Sequence, residues 1–321
     1  MTRRSLVRRL LQVVPAVAGI FVLTFVLVHL APNDPAEDLA GEGADQAQID
    51  AARAYLGLDR PVIEQFGIYV GRLAHGDLGT SFVQRRPVRE VIGDGLGPTL
   101  LLTGSALLLS TVAGLALGTL SARRPRGPLD TAISSVALFT YSLPGFWVAQ
   151  VAILILAVKA GIFPAGAMTD ARATYTGLDA TRDVVRHLIL PALVLALSET
   201  ALLLRVTRAG LLREVGRDYV LTATAKGASR ERVLRHHALP NALLPVVTII
   251  GSRVGFLVSG AVLVESVFGW PGLGRLLVEA AHSGDHPVLL GMVLLVSLSV
   301  ILATLATDLA YAWIDPRVRA A

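Results

Sequence analysis

The chain of 321 residues has no cysteine. Disulfides and thiolate metal sites are excluded, and redox compartment cannot be read from thiol usage. Charge is also scarce: 17% of residues are charged against 53% hydrophobic, and the mean hydropathy is +0.62, a balance foreign to soluble globular chains. No G-x-x-x-x-G-K-[ST] phosphate loop occurs, so the chain cannot draw on ATP by that route. No G-x-S-x-G elbow or spaced nucleophile and base stands out, which argues against an intramembrane hydrolase. No H-E-x-x-H pattern marks a zinc site. No internal repeat with matched midplane acids points to an ion-coupled secondary carrier. What remains is a polytopic membrane protein.

Six apolar runs are long enough, at ~1.5 Å per residue, to cross a ~30 Å hydrocarbon core. They are Leu10 to Leu30, Thr99 to Leu120, Ile133 to Ala157, His187 to Thr207, Leu243 to Val264 and Val288 to Trp313. The first follows Arg3, Arg4, Arg8 and Arg9, as a secretory signal does, but it exceeds an h-region of ~7–15 residues and no small-x-small cleavage pattern closes it. It is expected to remain as the first transmembrane helix. With the amino terminus inside, inner segments hold 17 Lys and Arg and outer segments 11, although the outer segments are longer. That asymmetry orients both termini to the cytoplasm. The basic excess of the chain is thereby topological, and no nucleic-acid partner is expected.

Four parts follow: 1–30, the inner terminus and first helix; 31–97, a small extracytoplasmic subdomain; 98–314, the core with a cytoplasmic loop at 208–241; and 315–321, an inner tail. In the outer part Gln46 to Leu56 reads as a short helix stopped by Gly57, and Pro61 starts another through Leu73. Its apolar residues suit a packed cap over the bundle and a landing surface for an outside partner equally.

The longest strongly polar passage between two apolar runs is Asp218 to Asn241. Asp218 is placed to cap a helix on which Tyr219, Val220, Ala223 and Lys226 recur at three- and four-residue spacing. Gly227 permits a sharp turn. Ser229 is a plausible cap for a second piece, with Arg232 within its reach. A short helix held crosswise between two spans converts a push from below into tilt of those spans. The alternative is an interfacial segment lying on anionic membrane lipid.

The stretches Ala31 to Pro35, Leu56 to Pro61, Gly76 to Ser81, Ser142 to Phe146, Leu190 to Leu193, Asp218 to Gly227, Glu265 to Arg275 and Asp285 to Val288, taken in order, resemble the B-type (first) permease subunit of ATP-binding-cassette importers of the dipeptide and oligopeptide family. Ala31-Pro32-Asn33-Asp34-Pro35, Leu56-Gly57-Leu58-Asp59-Arg60-Pro61 and Gly76-Asp77-Leu78-Gly79-Thr80-Ser81 are similar to its APGDP, LGLDxP and GDLGxS signatures. Ser142-Leu143-Pro144-Gly145-Phe146 and Leu190-Pro191-Ala192-Leu193 match SxPxF and LPAL. Glu265 to Arg275 and Asp285-His286-Pro287-Val288 resemble ExVFxxPGLGRL and DxPV. In the polar loop the family's E-A-A, three residues, Gly, nine residues, I-x-L-P falls on Leu221-Thr222-Ala223, Gly227, His237, Leu239 and Pro240. Leu221 and His237 depart from its Glu and Ile. Asp218 to Gly227 matches the form DYVxTAxAKG that peptide importers use.

The resemblance implies an all-α type I importer permease fold with six transmembrane helices, in the cytoplasmic membrane of a prokaryote. It implies a non-catalytic subunit that pairs with a second permease, two ATPase subunits that hold ATP and Mg, and an extracytoplasmic solute-binding protein that delivers a peptide. Nickel complexes, glutathione or other small solutes are the alternatives. The loop residues Asp218, Tyr219, Ala223, Ala225, Lys226, Gly227, Ser229 and Arg232 are then the ATPase-coupling set, with no cofactor or metal in this chain.

Within the spans, Glu199 and Arg253 are costly, at ~2.5–3.5 kcal/mol each near the bilayer centre. Their depths differ by about one 5.4 Å helical turn, so an ion pair beside the translocation path is one expectation, and separate snorkelling or binding to backbone carbonyls is an equal alternative. Family permeases usually carry uncharged residues at both places. Asp308 lies near the inner end of the last span, where capping against Arg317 gives it a structural use. Gly104, Gly114 and Gly118 in the second span are read as close-packing positions.

Overall fold

The computed structural model describes residues 15, 17–23, 25–26, 35–41, 43–256 and 261–314. The described chain is almost wholly helical, and its extended pairing is one isolated antiparallel bridge between Thr80 and Pro87. It divides into two compact units, residues 1–98 with 271–321, and residues 99–270.

In the first unit, residues 35–74 carry the short helices α1 (Pro35–Ala40), α2 (Gln46–Leu56) and α3 (Val62–Ala74). Asp45 and Gln48 form a reciprocal capping box at 2.8 and 3.0 Å, and Gly57 takes the left-handed conformation that ends α2. The start of α3 after Pro61 follows from that residue's fixed φ and missing N–H. Of the expected span Leu10 to Leu30, residues 15, 17–23, 25 and 26 are helical and the rest lies outside the described residues, as do the four arginines before it. Phe25 on it meets Phe66 edge-on at 5.1 Å and Tyr69 at 5.9 Å, which anchors α3 to the span.

The same unit holds the outer end of α4 (Val88–Arg123), α13 (Leu273–His282) and α14 (His286–Ile314). Two of the sequence motifs meet here. The buried Asp285 carboxylate accepts from Ser81 Oγ, from the Phe82 N–H at 3.1 Å and from the Val83 N–H at 3.4 Å, while Ser81 Oγ accepts from the Gln84 N–H at 2.9 Å. A loop 204 residues away in sequence is thus clasped to the start of the last span. Each buried partner is satisfied, as a water-poor site requires.

In the second unit α4 continues to its inner end and packs against α7 (Leu178–Val215). At about 1.5 Å per residue these helices run well beyond a bilayer's width. A Cβ at Gly114 would stand 2.6 Å from Leu203 Cβ, and one at Gly118 would stand 2.7 Å from Thr207 Cβ and 2.8 Å from the Leu204 carbonyl oxygen. Backbone contact on that face requires the missing side chains. Gly104 meets nothing within 4 Å and is not part of that seam.

The expected straight span Ile133 to Ala157 needs correction. It is a pair, α5 (Pro128–Ser142) and α6 (Gly145–Ala152) running on as a π-helical turn over Ile153–Lys159, bent by 100° at the break. Pro144 supplies no N–H and holds Leu143 in an extended conformation, so the helix cannot continue through it. Tyr141, just before the break, lies under the Arg205 guanidinium at 5.0 Å. The expected span Leu243 to Val264 appears as α11 (Leu244–Phe256) and α12 (Val262–Phe268), with 257–260 outside the described residues. Glu265 on α12, fully buried, accepts from Thr99 Oγ1 at 2.8 Å. Trp270, Phe268, Leu190, Leu102 and Ala149 form the core beside it.

Among the described residues, three helices are long and apolar enough to cross a membrane, or up to five if each bent pair is one span. The side chain of Asp308 and residues 315–321, with Arg317, lie outside the described set.

The glycine seam gives a matched test. Gly118→Ala is expected to cost about 1–3 kcal/mol by overpacking and to lower the thermal midpoint in detergent. Gly104→Ala leaves that midpoint unchanged or slightly higher.

Candidate coupling elbow and the charged pair

After α7 ends at Val215, the chain turns at Gly216 and Arg217 into α8 (Asp218–Ala225). Asp218 is not the cap expected from its residue type. Arg217 holds the extended capping position, Asp218 is the first helical residue, and its side chain makes no capping bond. An acid there still faces the positive end of the helix dipole, so the sequence signal was read one residue out of register. Thr222 Oγ1 donates to the Asp218 carbonyl at 2.9 Å.

The far end of α8 is closed at Gly227. Its φ of +82° lets its N–H reach the Thr224 carbonyl at 2.9 Å while the Ala228 N–H reaches that of Ala223 at 3.2 Å. These paired bonds are a Schellman closure, and they redirect the backbone. Ser229 then starts the second piece: its Oγ accepts from the Arg232 N–H at 3.4 Å. A short helix α9 (Arg230–Arg232) passes into a π-helical turn over Val233–Ala238 and into α10 (Leu239–Ala242). Between Val233–Ala242 and Pro245–Gly251 the course bends by 48°.

The elbow has a core of its own. Leu211 of α7, Ala122 of α4, Leu234, Ala238 and Ala242 are buried together, and Val220 is the buried residue of α8. Gly210 approaches so closely that a Cβ would sit 3.0 Å from the Ala242 carbonyl oxygen. Tyr219 ties both ends of the loop: its hydroxyl donates to Glu214 Oε2 at 2.6 Å and accepts from Asn241 Nδ2 at 3.1 Å. Burial, and then the bond to Glu214, push the phenol pKa up, so Tyr219 stays a donor at neutral pH. Glu231 receives Arg123 Nη2 at 2.7 Å and Arg235.

What the elbow does not bury is as informative. Ala225, Lys226, Gly227, Ser229 and Arg232 are exposed, Ala223 is half-buried, and Leu221 is 61% exposed. Among the described residues, these side chains offer an apolar and a basic surface that is left exposed.

Behind the elbow lies a cluster absent from the candidate residues of the sequence. Asp130, in the first turn of α5, accepts Arg208 Nε and Nη2 of α7, each at 2.7 Å. It also accepts from Ser121 Oγ of α4 and from the Arg126 N–H at 2.8 Å. One buried carboxylate joins three helices by a bidentate, charge-assisted pair. The available signal was a lone acid beside Arg123, Arg124 and Arg126; Arg208 had been counted only as topological charge.

Glu199 and Arg253 are brought together: Arg253 Nε lies 3.2 Å from Glu199 Oε2. The separation is that of an ion pair, but among the described residues Glu199 Oε2 accepts no hydrogen bond. We therefore describe the contact as Coulombic and loosely made. Among the described residues no group of three or more His, Asp or Glu could hold a metal. His282 and His286 stand four apart with Asp285 between them, yet α13 ends at His282 and Asp285 is engaged by Ser81.

Removing one side of the buried cluster isolates the other. Asp130→Ala is expected to destabilise the protein by about 3–5 kcal/mol, seen as a loss of folded protein after mild heating. The double variant Asp130→Ala, Arg208→Met recovers part of that loss, since no charge is then stranded.

Two family models match the chain. Residues 114–320 match "Binding-protein-dependent transport system inner membrane component", and residues 1–103 match the N-terminal region of such membrane components. The dipeptide transport system permease protein DppB of Escherichia coli strain K12 is 40% identical over 332 aligned positions, covering 98% of each chain. The glutathione transport system permease protein GsiC of Escherichia coli O6:H1 is 39% identical over 314, again covering 98% of each. A chain of the MetNI methionine ABC transporter, solved in an inward-facing form, superposes with a TM-score of 0.54 at 19% identity, covering 71% of this chain and 97% of that one. At that identity the likeness speaks for the fold, which is that of a type I ABC importer permease. The chain belongs to the binding-protein-dependent transport system inner membrane component family, the membrane permease subunits of ABC importers.

Proposed function

We propose that this chain forms half of the translocation pathway of an ATP-driven importer for di- or oligopeptides. Its partners are a second permease, two ATPase subunits that bind ATP and Mg, and an extracytoplasmic solute-binding protein. In this reading the chain has six spans with both termini in the cytoplasm of a prokaryote, Leu10 to Leu30 being the first. The observation that carries the proposal is the elbow itself. A short helix with a Schellman closure and an exposed face follows α7 and leads, through a segment packed on Leu211 and Ala122, to α11, in a chain with no phosphate loop.

Asp218, Tyr219, Ala223, Ala225, Lys226, Gly227, Ser229 and Arg232 are the proposed coupling residues, in different capacities. Tyr219, Gly227 and Ser229 set the shape through their bonds. Ala223, Ala225, Lys226 and Arg232, with the neighbouring Leu221, supply the face that an ATPase covers. ATP-driven closure of the ATPase pair then moves α8, and α7 and α11 tilt with it. Only contacts that differ between the two states shift the equilibrium. Glu199 and Arg253 line the path in this scheme. The substrate class follows the named relatives, and glutathione is itself a small peptide-like solute.

Purification of the complex with tagged ATPase tests the reading. Ala223→Glu and Gly227→Val, the latter strained by about 1–3 kcal/mol at a positive φ, are expected to lower permease recovery about tenfold. Arg172→Ala on an outer loop leaves it unchanged. Full recovery of both elbow variants with active transport would remove the proposal.

A further inference from the structure

Two ion pairs in the same unit are built in opposite ways. Asp130 and Arg208 are sealed, with two bonds of 2.7 Å, a hydroxyl and a backbone N–H satisfying the carboxylate. Glu199 and Arg253 make one contact of 3.2 Å, and among the described residues the contacted Oε2 accepts no hydrogen bond. Their side chains remain 27% and 41% exposed respectively, though both lie within apolar helices. Exposure of charge to lipid costs ~2.5–3.5 kcal/mol per group, so the open side of this pair faces water or protein. A stabilising strut is made like the first pair. The second is made like a contact that opens.

We propose that Glu199 and Arg253 are an exchangeable pair that receives the two termini of a short zwitterionic peptide, the ammonium on Glu199 and the carboxylate on Arg253. This rests on the peptide-importer reading and narrows it. Exchange keeps every charge partnered: the pair opens, each side chain takes one end of the solute, and the pair closes again when the solute leaves. A simple cation would satisfy Glu199 and strand Arg253, and a simple anion would do the reverse. Either leaves a half-desolvated charge alone, the expensive outcome of breaking such a pair. The ends of a dipeptide stand roughly 7 Å apart at ~3.3–3.6 Å per residue, a gap that the long Arg253 stem spans by changing rotamer. The closed pair is therefore a substitute for the substrate, and it holds the path neutral between transport events.

The test uses the complete importer in proteoliposomes, with ATP inside and alanyl-alanine loaded on the binding protein outside. Glu199→Gln, Arg253→Gln and the double neutral variant are each expected to lower uptake about tenfold or more, since a hydrogen bond to a charged group contributes ~1.5–3 kcal/mol. The ATPases should still co-purify. The double variant decides the matter, because a merely structural pair is replaced without harm by two neutral amides. Wild-type uptake by Glu199→Gln with Arg253→Gln overturns the proposal. If that protein loses its ATPases, the apolar pair Glu199→Leu with Arg253→Met, which strands no charge, takes its place. Uptake below a tenth supports the proposal and wild-type uptake overturns it. Failure of the unaltered importer to accumulate any peptide instead overturns the peptide reading on which this one rests.

Discussion

The constraint on which the rest of this structure depends is that a buried polar or charged group in a membrane protein must find its partner within protein. Water is absent from the hydrocarbon core, and each unsatisfied group there costs several kcal/mol, on the order of a whole domain's margin of stability. Several polar sites of the chain show how such a demand is met. The turn at Gly227 closes with two backbone bonds. The outer loop at Ser81 is satisfied by Asp285. Helices α4, α5 and α7 share one carboxylate. Glu199 and Arg253 meet the same demand loosely, which sets them apart.

Force transmission follows from the same economy of partners. Because the elbow is packed on Leu211, Ala122 and Ala242, and because Tyr219 bonds to residues on both sides of the loop, α8 is joined to α7 and α10 as one body. The Asp130 cluster extends that body to α4 and α5. A displacement of α8 therefore reaches several helices together, whereas a loosely tethered amphipathic segment on lipid would move alone. On the proposed reading the energy source is a separate ATPase subunit.

Much of this was legible in the residues. The αL stop at Gly57, the start after Pro61, the turn at Gly227 and the cap at Ser229 follow from rules local to a few residues. The close approach at Gly114 and Gly118 follows from small-residue spacing. The meeting of Glu199 and Arg253 was read from depth alone. What escaped was of two kinds. Registers of one residue, as at Arg217 and Asp218, depend on backbone angles that propensity does not resolve. Partnerships across long separations, such as Ser81 with Asp285 or Asp130 with Arg208, join residues whose local sequence names neither. The 100° break at Leu143 and Pro144 lay between: proline announced a break, and the size of the bend belongs to the packing of Ala149, Leu190 and Trp270 around it.

The native lack of cysteine makes the central claim directly measurable, since a single introduced thiol is the only one in the chain. With Leu221→Cys at the uncovered face of α8, a thiol-specific photo-cross-linker in native membranes is predicted to join this chain to an ATPase subunit, with a yield that changes between ATP-bound and nucleotide-free states. Labelling that reaches only lipid or solvent in every nucleotide state, from membranes in which the importer transports peptide, would contradict the claim that the elbow carries the force.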